Sequence, residues 1–486
     1  MSLIDLLITS GSRGIDKPGF GRAATMPRLL PWRSTSRQVC GLYPLIVGDT
    51  APLVGVPLGR VLGGWGTVCA DPISWFEKGL ISAPSSMVLG LNGLGKSSLV
   101  RRIVTGSAYM GVHSMVLGDI KPDYVDLISA LGGQIIRIGH GHSGINPLDA
   151  GNVEQAAKLL ENHPQERSAL LAAAHERKKT MVLSLIQIIR GSSPSDREEN
   201  VIEAALTVLE NTYANPVLAD LLQVVRDAPE PVRMAALDRG SLDRYKQVTE
   251  ELEASLMALL NGRLGGIFAS ATTTPMMMDR SVVFDVHDML HEHSDLQAAV
   301  LLASWSYGFA TVEISQTLAD AGVAPRHHYM IVMDELWRIL RASSGMVERI
   351  DSLTRLNRTV GVGQMMLTHS MADFQALSEE DRLKAQGFVE RSKMLFLGGL
   401  PGKELDLLRQ IMGFSQAEEA LLNSWNAPGT YDPLSGKPAA PAGRGKFLLK
   451  TSSAPGIPFQ VQFSQAEKIL NNTNPISYPP PRAHKT

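Results

Sequence analysis

The chain has 486 residues, and its 46 Lys and Arg nearly balance its 48 Asp and Glu. This length exceeds what one compact core holds and predicts two or three domains, while the near-neutral charge excludes nucleic-acid binding through a global basic excess. The two cysteines, Cys40 and Cys69, exclude a disulfide framework and a cysteine-based zinc site, and they indicate a reducing, cytosolic setting.

Two segments of different composition come first in the chain. Residues 1–37 are rich in Gly, Pro, Arg and Ser, which predicts a flexible arm, and they lack the apolar core of a signal peptide. Residues 38–83 alternate short apolar runs with turns. That alternation predicts a small β-rich segment.

A glycine-rich turn then joins an apolar run to a helical pattern, and it contains GxxxxGK[ST] in full, from Gly90 to Ser97. Glycines let the backbone form a ring of N–H donors around a phosphate. The motif predicts that Lys96 reaches the β- and γ-phosphates and that Ser97 offers its hydroxyl to Mg²⁺. The alternative is a glycine-rich turn with a chance lysine. The predicted nucleotide-binding residues are Gly90, Leu91, Asn92, Gly93, Leu94, Gly95, Lys96, Ser97 and Ser98.

Strands and helices alternate after this loop. Ser114–Asp119 and Gln134–Ile138 are predicted strands with a helix between them. This alternation is typical of a parallel sheet, and it places the first part of an α/β nucleotide-binding core at residues 84–150. Residues 151–275 have helical spacing throughout, which predicts an all-helical insertion.

The second part of the core is predicted at residues 276–455. It begins with a strand, Ser281–Val286, and a long buried helix, Leu296–Ala319, whose apolar stretch is too short to span a bilayer. Gly443–Lys450 has the pattern of a late edge strand. The tail at residues 456–486 is proline-rich and is predicted to be extended.

An apolar strand, Tyr329–Met333, ends in two adjacent carboxylates, Asp334 and Glu335. In a chain that also has a phosphate loop, the first carboxylate is expected to hold Mg²⁺ and the second to orient or deprotonate the attacking water. Two roles need two carboxylates, and both are present. The alternative is an acidic turn that caps the next helix.

Polar residues around the following strand, Val360–Thr368, are further candidates. Arg358, and less strongly Arg355, precede this strand and could project across a subunit boundary to a γ-phosphate, with a solvated surface as the alternative. His369 ends the strand, where it could contact the γ-phosphate or make a core hydrogen bond. Arg391 is a weaker third candidate for the arginine role.

Together these segments resemble the motor ATPases of type IV secretion and bacterial conjugal transfer, in the HerA and FtsK superfamily of RecA-like proteins. The resemblance runs from about Met87 to Lys450. It is carried, in the family's order, by GLNGLGKSS, GDIKPDYVDLISALGGQIIRIGHGHSGINPLD, VVFDV, YMIVMDELWRIL, RLNRTVGVGQMMLTHSMADF and GRGKFLLK. The stretch from the strand-end acid through Tyr124 to Ile-Asn-Pro-Leu-Asp separates this group from other phosphate-loop proteins.

The resemblance implies a RecA-like P-loop NTPase core with a parallel-rich central sheet. It also implies a homohexamer that binds ATP and Mg²⁺ at its subunit interfaces. In that arrangement Lys96 binds phosphate, Ser97 and Asp334 hold the metal, Glu335 is catalytic, and Arg358 acts in trans as a finger.

The resemblance further implies a cytoplasmic protein, peripheral at the inner face of the cell membrane. Its expected partners are membrane-embedded channel components of the type IV secretion system, with DNA or a nucleoprotein as a candidate substrate. The chain departs from the family at two points. His369 replaces the usual Gln, and few residues precede Gly90, which implies docking through another protein or a shortened branch of the family.

Three functions follow from these residues. The first is an ATP-hydrolysing motor that powers channel assembly or substrate transport. The second is a DNA-pumping translocase, which needs basic loops, and Arg177-Lys178-Lys179 is the only obvious basic cluster. The third is a nucleotide-gated assembly scaffold with little hydrolysis, which His369 in place of Gln keeps open.

Overall fold

The computed structural model describes residues 52–64, 66–139, 141–336, 338, 362–369, 386–429, 440–451 and 455–470. Three of the predicted features lie outside the described residues. These are the arm at 1–37, the arginines Arg355 and Arg358, and the end of the tail at 471–486.

Within the described residues, eleven strands form one sheet. They are β1 (Pro57–Val61), β2 (Thr67–Cys69), β3 (Ser85–Leu89), β4 (Val112–Asp119), β5 (Gln134–Arg137), β6 (Val282–Asp285), β7 (His328–Met333), β8 (Val362–Thr368), β9 (Met394–Leu397), β10 (Lys446–Lys450) and β11 (Ile457–Val461).

The order across the sheet is β2-β1-β11-β10-β9-β3-β8-β7-β4-β6-β5. The strands from β9 to β5 in this order run parallel to one another, whereas β10, β11, β1 and β2 extend the sheet in antiparallel pairs. The predicted α/β class with a parallel-rich central sheet is therefore confirmed.

The bounds of fourteen α-helices lie within the described part of the chain. They are α1 (Pro72–Glu77), α2 (Lys96–Tyr109), α3 (Val125–Ala130), α4 (Val153–Leu159), α5 (Pro164–Arg190), α6 (Asp196–Thr212), α7 (Leu218–Asp227), α8 (Glu230–Ala235), α9 (Leu242–Asn261), α10 (Gly265–Phe268), α11 (Ser294–Asp320), α12 (Gly402–Leu408), α13 (Gln416–Ser424) and α14 (Gln465–Leu470). Helices α4 to α10 follow one another between β5 and β6, in the stretch for which an all-helical insertion is predicted.

Two hydrophobic clusters cover the two faces of the sheet, because neighbouring residues of a strand point to opposite faces. In β3, Met87 and Leu89 belong to the cluster that contains α11, whereas Val88 belongs to the cluster that contains Leu99 and Val100 of α2. Both faces of the parallel strands are thus buried, as parallel sheets require.

Helix α11 is buried on almost all sides, and Gly308 lets it approach β4. A Cβ at this position would lie 2.3 Å from Leu117 Cδ2. Three hydroxyls of the helix donate to its own backbone, as when Ser304 Oγ donates to Val300 O at 2.9 Å. Within the described residues, no helix combines the length and apolar content needed to cross a membrane.

The prediction of an edge strand at Gly443–Lys450 is wrong. β10 lies inside the sheet, between β9 and β11, and Lys450 is buried. Lysine suggests an edge strand because its charge normally needs water. Here Lys450 Nζ lies 2.9 Å from Glu418 Oε1, and this buried partner replaces the solvent.

The described strands of the predicted β-rich segment, β1 and β2, belong to the same sheet as the nucleotide-binding core. β1 pairs with β11 through Arg60 and Gln460, so the start and the end of the described chain meet at this side of the sheet. These two strands therefore do not form a separate small sheet.

Candidate nucleotide-binding site

Four neighbouring strands bring the candidate site together at their carboxyl ends. In the order β3-β8-β7-β4, these strands end at the phosphate loop, at His369, at Asp334 and at Asp119. Side chains far apart in the sequence therefore meet at one edge, which is where open parallel sheets bind ligands.

The phosphate loop connects β3 directly to α2, which begins at Lys96. Gly93 and Gly95 have φ values of 78° and 98°, in the left-handed region that favours glycine. Gly95 is the N-cap of α2, and no side chain caps the first turn. The amides at this helix start are therefore oriented as anion donors.

Two other segments hold the loop in place. Leu91 N donates to Gly399 O at 3.2 Å, after β9, and Gly445 N donates to Leu94 O at 2.8 Å, before β10. No motif in the sequence predicts a site role for Gly399 or Gly445. The available signal in the sequence was the position of these glycines, because Gly399 lies shortly after one core strand and Gly445 lies directly before another.

Lys96 folds back over the loop. Its Nζ donates to Gly90 O at 2.6 Å and to Leu91 O at 3.2 Å. Burial lowers the pKa of Lys96 to about 8, although the charges of Asp334 and Glu335 oppose the change. The amine is thus held at the centre of the loop, where a bound phosphate would favour its charged form.

Ser97 contacts a carboxylate that the sequence analysis did not single out. Burial raises the pKa of Asp123, whereas the side chain of Ser97 and the charge of Lys121 oppose this rise. Asp119, at the end of β4, accepts from the backbone N–H groups of Asp123 and Tyr124 at 3.0 and 2.7 Å. This tight turn places Asp123 beside the serine.

Asp334 follows β7 and lies among polar groups. Its Oδ1 accepts from Glu335 N at 2.8 Å, and its Oδ2 lies 3.4 Å from the hydroxyl of Tyr124. Burial, and then the charge of Glu335, raise the pKa of Asp334 to about 6. A cation at this carboxylate would favour its ionised form.

Glu335 is surrounded by cationic side chains. Its Oε1 lies 3.1 Å from Lys121 Nζ and 3.3 Å from His369 Nε2, and its Oε2 lies 3.5 Å from Arg338 Nε. Burial would raise the pKa of Glu335, but the bond from His369 and the charges of His369, Lys121 and Arg338 hold it well below its usual range. The residue also has a φ of 55°, which is uncommon outside glycine.

His369 therefore contacts Glu335 through its Nε2. Among the described residues, its Nδ1 is buried without a hydrogen-bond partner. The imidazole joins the end of β8 to the carboxylate that follows β7, so it can orient Glu335 whether or not it also contacts a phosphate. The weaker arginine candidate, Arg391, lies over the Phe388 ring at 5.1 Å.

The oxygen donors near the loop suit Mg²⁺. This ion prefers hard oxygen ligands and keeps several waters, so one or two carboxylates and a hydroxyl are enough. Such oxygen ligands are available from the hydroxyl of Ser97, the carboxylate of Asp334 and the nearby carboxylate of Asp123. Together with Lys96 and the loop amides, they form an arrangement that can hold a Mg²⁺-bound polyphosphate beside a carboxylate base.

No protein-family model matches the sequence, and no curated protein matches it. Among solved structures, VirB4 of Thermoanaerobacter pseudethanolicus is similar with a TM-score of 0.61 and 17% identity, over 87% of this chain and 99% of that chain. The bacterial conjugative coupling protein TrwB has a TM-score of 0.48 and 11% identity, over 84% of this chain and 90% of that chain. The cytoplasmic domain of the type VII secretion ATPase EccC from Thermomonospora curvata has a TM-score of 0.33 and 13% identity, over 86% of this chain and 29% of that chain.

The likeness to VirB4 spans nearly all of that structure, and it agrees with the resemblance carried by the sequence motifs. This chain has the P-loop NTPase fold of VirB4.

Proposed function

We propose that this chain is an ATP-hydrolysing motor of a type IV secretion or conjugative transfer system. One observation carries the proposal. The phosphate loop with Lys96 and Ser97 and the Asp334-Glu335 pair lie at the same edge of the sheet, at the ends of two strands separated only by β8, in a fold shared with VirB4. The nucleotide would be ATP, with Mg²⁺ as the cofactor.

Each side chain has a step in the proposed reaction. Lys96 and the loop amides bind the β- and γ-phosphates, while Ser97 and Asp334 hold Mg²⁺, which neutralises phosphate charge. Glu335 accepts a proton from the attacking water, and His369 fixes the orientation of that carboxylate. Because the attack needs an ionised base, the low pKa of Glu335 keeps it in the required form.

We extend the proposal to the assembly. A homohexamer with Arg358 acting in trans would complete the charge around the γ-phosphate. Channel components in the membrane would then be the partners, and the chain would work at the inner face of the cell membrane. The resemblance to the motor family supports these statements.

One observation weakens the DNA-pumping alternative. Each member of the basic cluster Arg177-Lys178-Lys179 pairs with a glutamate: Arg177 with Glu313, Lys178 with Glu210, and Lys179 with Glu203. The cluster therefore offers little uncompensated charge for a phosphate backbone. The scaffold alternative retains some support, because two side chains already occupy Glu335 Oε1.

The test is the steady-state rate of ATP hydrolysis over a series of protein concentrations, with and without DNA. Lys96→Ala serves as the blank. We expect a Mg²⁺-dependent rate that exceeds the blank, increases per chain with concentration and is indifferent to DNA. Strong stimulation by DNA would favour the translocase. A wild-type rate equal to the blank would contradict the motor and favour the scaffold.

A further inference from the structure

The carboxylate of Glu335 receives more donors than a free base needs. Its Oε1 lies within hydrogen-bond distance of both Lys121 Nζ and His369 Nε2. We propose that Lys121 is a triphosphate-responsive positioning residue, which holds Glu335 until a γ-phosphate draws its ammonium group away. This inference rests on the proposed function and names a regulation of the same site.

A general base needs an open lone pair that faces the water it deprotonates. A carboxylate oxygen has about two acceptor positions. With Lys121 at 3.1 Å and His369 at 3.3 Å, both positions on Glu335 Oε1 are taken. One donor must leave before this oxygen can accept a proton from water.

Lys121 is the donor that can leave. Its side chain is 50% exposed, whereas that of His369 is 23% exposed and that of Arg338 is 18% exposed. His369 directly follows the buried strand β8, so its ring has little freedom. Lys121 lies in the turn after β4, and lysine carries its charge on a long flexible stem.

The γ-phosphate is the group that can attract it. The charge of Lys121 lowers the pKa of Lys96, which is the phosphate-loop lysine, and the pKa of Asp123. Lys121 therefore interacts electrostatically with the phosphate loop, while its Nζ lies 3.1 Å from Glu335 Oε1. A triphosphate held by Lys96 brings negative charge to this side, and an ammonium group binds phosphate well.

The backbone conformation of Glu335 gives a reason for its ion pair with Lys121. Its φ of 55° is a conformation that non-glycine residues adopt rarely, and such strain persists only where surrounding contacts maintain it. The ion pair with Lys121 is one of those contacts. Its transfer to phosphate frees the carboxylate while His369 keeps it directed at the site.

The experiment compares the affinities of the Mg²⁺ complexes of ADP and of the imido analogue of ATP, which is not hydrolysed. The proteins are the wild type, Lys121→Met, Glu335→Gln and the double variant. Lys121→Met should weaken binding of the analogue about tenfold, the worth of one charge-assisted hydrogen bond, and leave ADP binding unchanged. ADP binding also reports that the variant is folded.

The double variant tests whether the ion pair between Glu335 and Lys121 competes with the triphosphate. Glu335→Gln removes the charge that retains Lys121, so it should tighten binding of the analogue severalfold. It should have no such effect when Lys121 is already Met. Lys121→Arg keeps the charge and should restore most of the affinity. Lys158→Met, at an exposed lysine of α4, is the control that changes neither affinity.

Three results would overturn the inference: no change in Lys121→Met, an equal loss for ADP and the analogue, or the same tightening by Glu335→Gln in both backgrounds. Each of these leaves the proposed function standing, provided that the wild type binds the analogue. A wild type that binds neither nucleotide would instead refute the proposed function, and this inference with it.

Discussion

The two halves of the candidate site are built in different ways. The phosphate-binding half is one continuous stretch, in which Lys96 bonds to carbonyls five and six residues before it. The carboxylate half is assembled from three strand ends, and its Lys121–Glu335 pair joins residues 214 positions apart. The first half depends on local chain geometry, and the second depends on the whole sheet.

This difference separates two functions. The local half contains the amides and the lysine proposed to bind a phosphate, so changes there should alter affinity. The assembled half contains the groups proposed to surround the reacting water, so changes there should alter turnover, and at the Lys121–Glu335 pair they should also alter the affinity for a triphosphate.

Glu335→Gln should lower kcat by a factor of about 10²–10⁴, because an amide cannot accept the proton of the attacking water. ATP binding should persist, since the phosphate loop is unchanged. Steady-state rates and an equilibrium binding curve on the same preparation measure the two effects. Full activity in this variant would show that Glu335 is not the base.

Lys96→Ala should weaken ATP binding by a factor of roughly 10 to 100, because a hydrogen bond to a charged phosphate contributes about 1.5–3 kcal/mol. The readout is a nucleotide titration followed by fluorescence. Lys393→Ala, which removes a half-buried lysine outside the loop whose Nζ donates to Glu390 O, is the matched control. Equal affinities for Lys96→Ala and the wild type would break the division between the halves.

His369→Ala should lower kcat about tenfold and move the acidic limb of the pH profile upward. Glu335 must be ionised to act, and His369 helps to hold its pKa down. When that bond is lost, the pKa rises and activity disappears at a higher pH on acidification. His369→Gln keeps a donor and should give an intermediate profile. An acidic limb that stays in place would contradict the role of His369.

The pKa of about 8 at Lys96 predicts a smaller effect in the wild type. Above that pH the free protein must take up a proton to bind phosphate. ATP affinity should therefore fall about fivefold over the next pH unit. Lys96→Arg stays charged and should show no such fall. Isothermal titration at several pH values checks both, and parallel curves would refute the assignment.

The sequence could predict what local pattern determines. The GxxxxGK[ST] spacing and the apolar strand before Asp334 identify loop, lysine and carboxylates, and the buried helix expected at 296–319 is observed at Ser294–Asp320. The α/β class follows from the alternation of strands and helices.

What the sequence could not predict depends on contacts between distant residues. No periodicity indicates that Gly399 and Gly445 bond to the phosphate loop, or that Lys121 reaches Glu335. The wrong edge strand has the same origin. The burial of Lys450 depends on Glu418, a residue of another element that only the fold brings near.

The most direct test of the account is a single turnover. Wild-type protein in excess over ATP is allowed to form the complex, Mg²⁺ is added, and conversion to ADP is followed over time beside Glu335→Gln. The account predicts that wild type converts the bound ATP to ADP while Glu335→Gln retains it as ATP. Bound ATP that persists equally long in both proteins would contradict the claim that this site hydrolyses ATP.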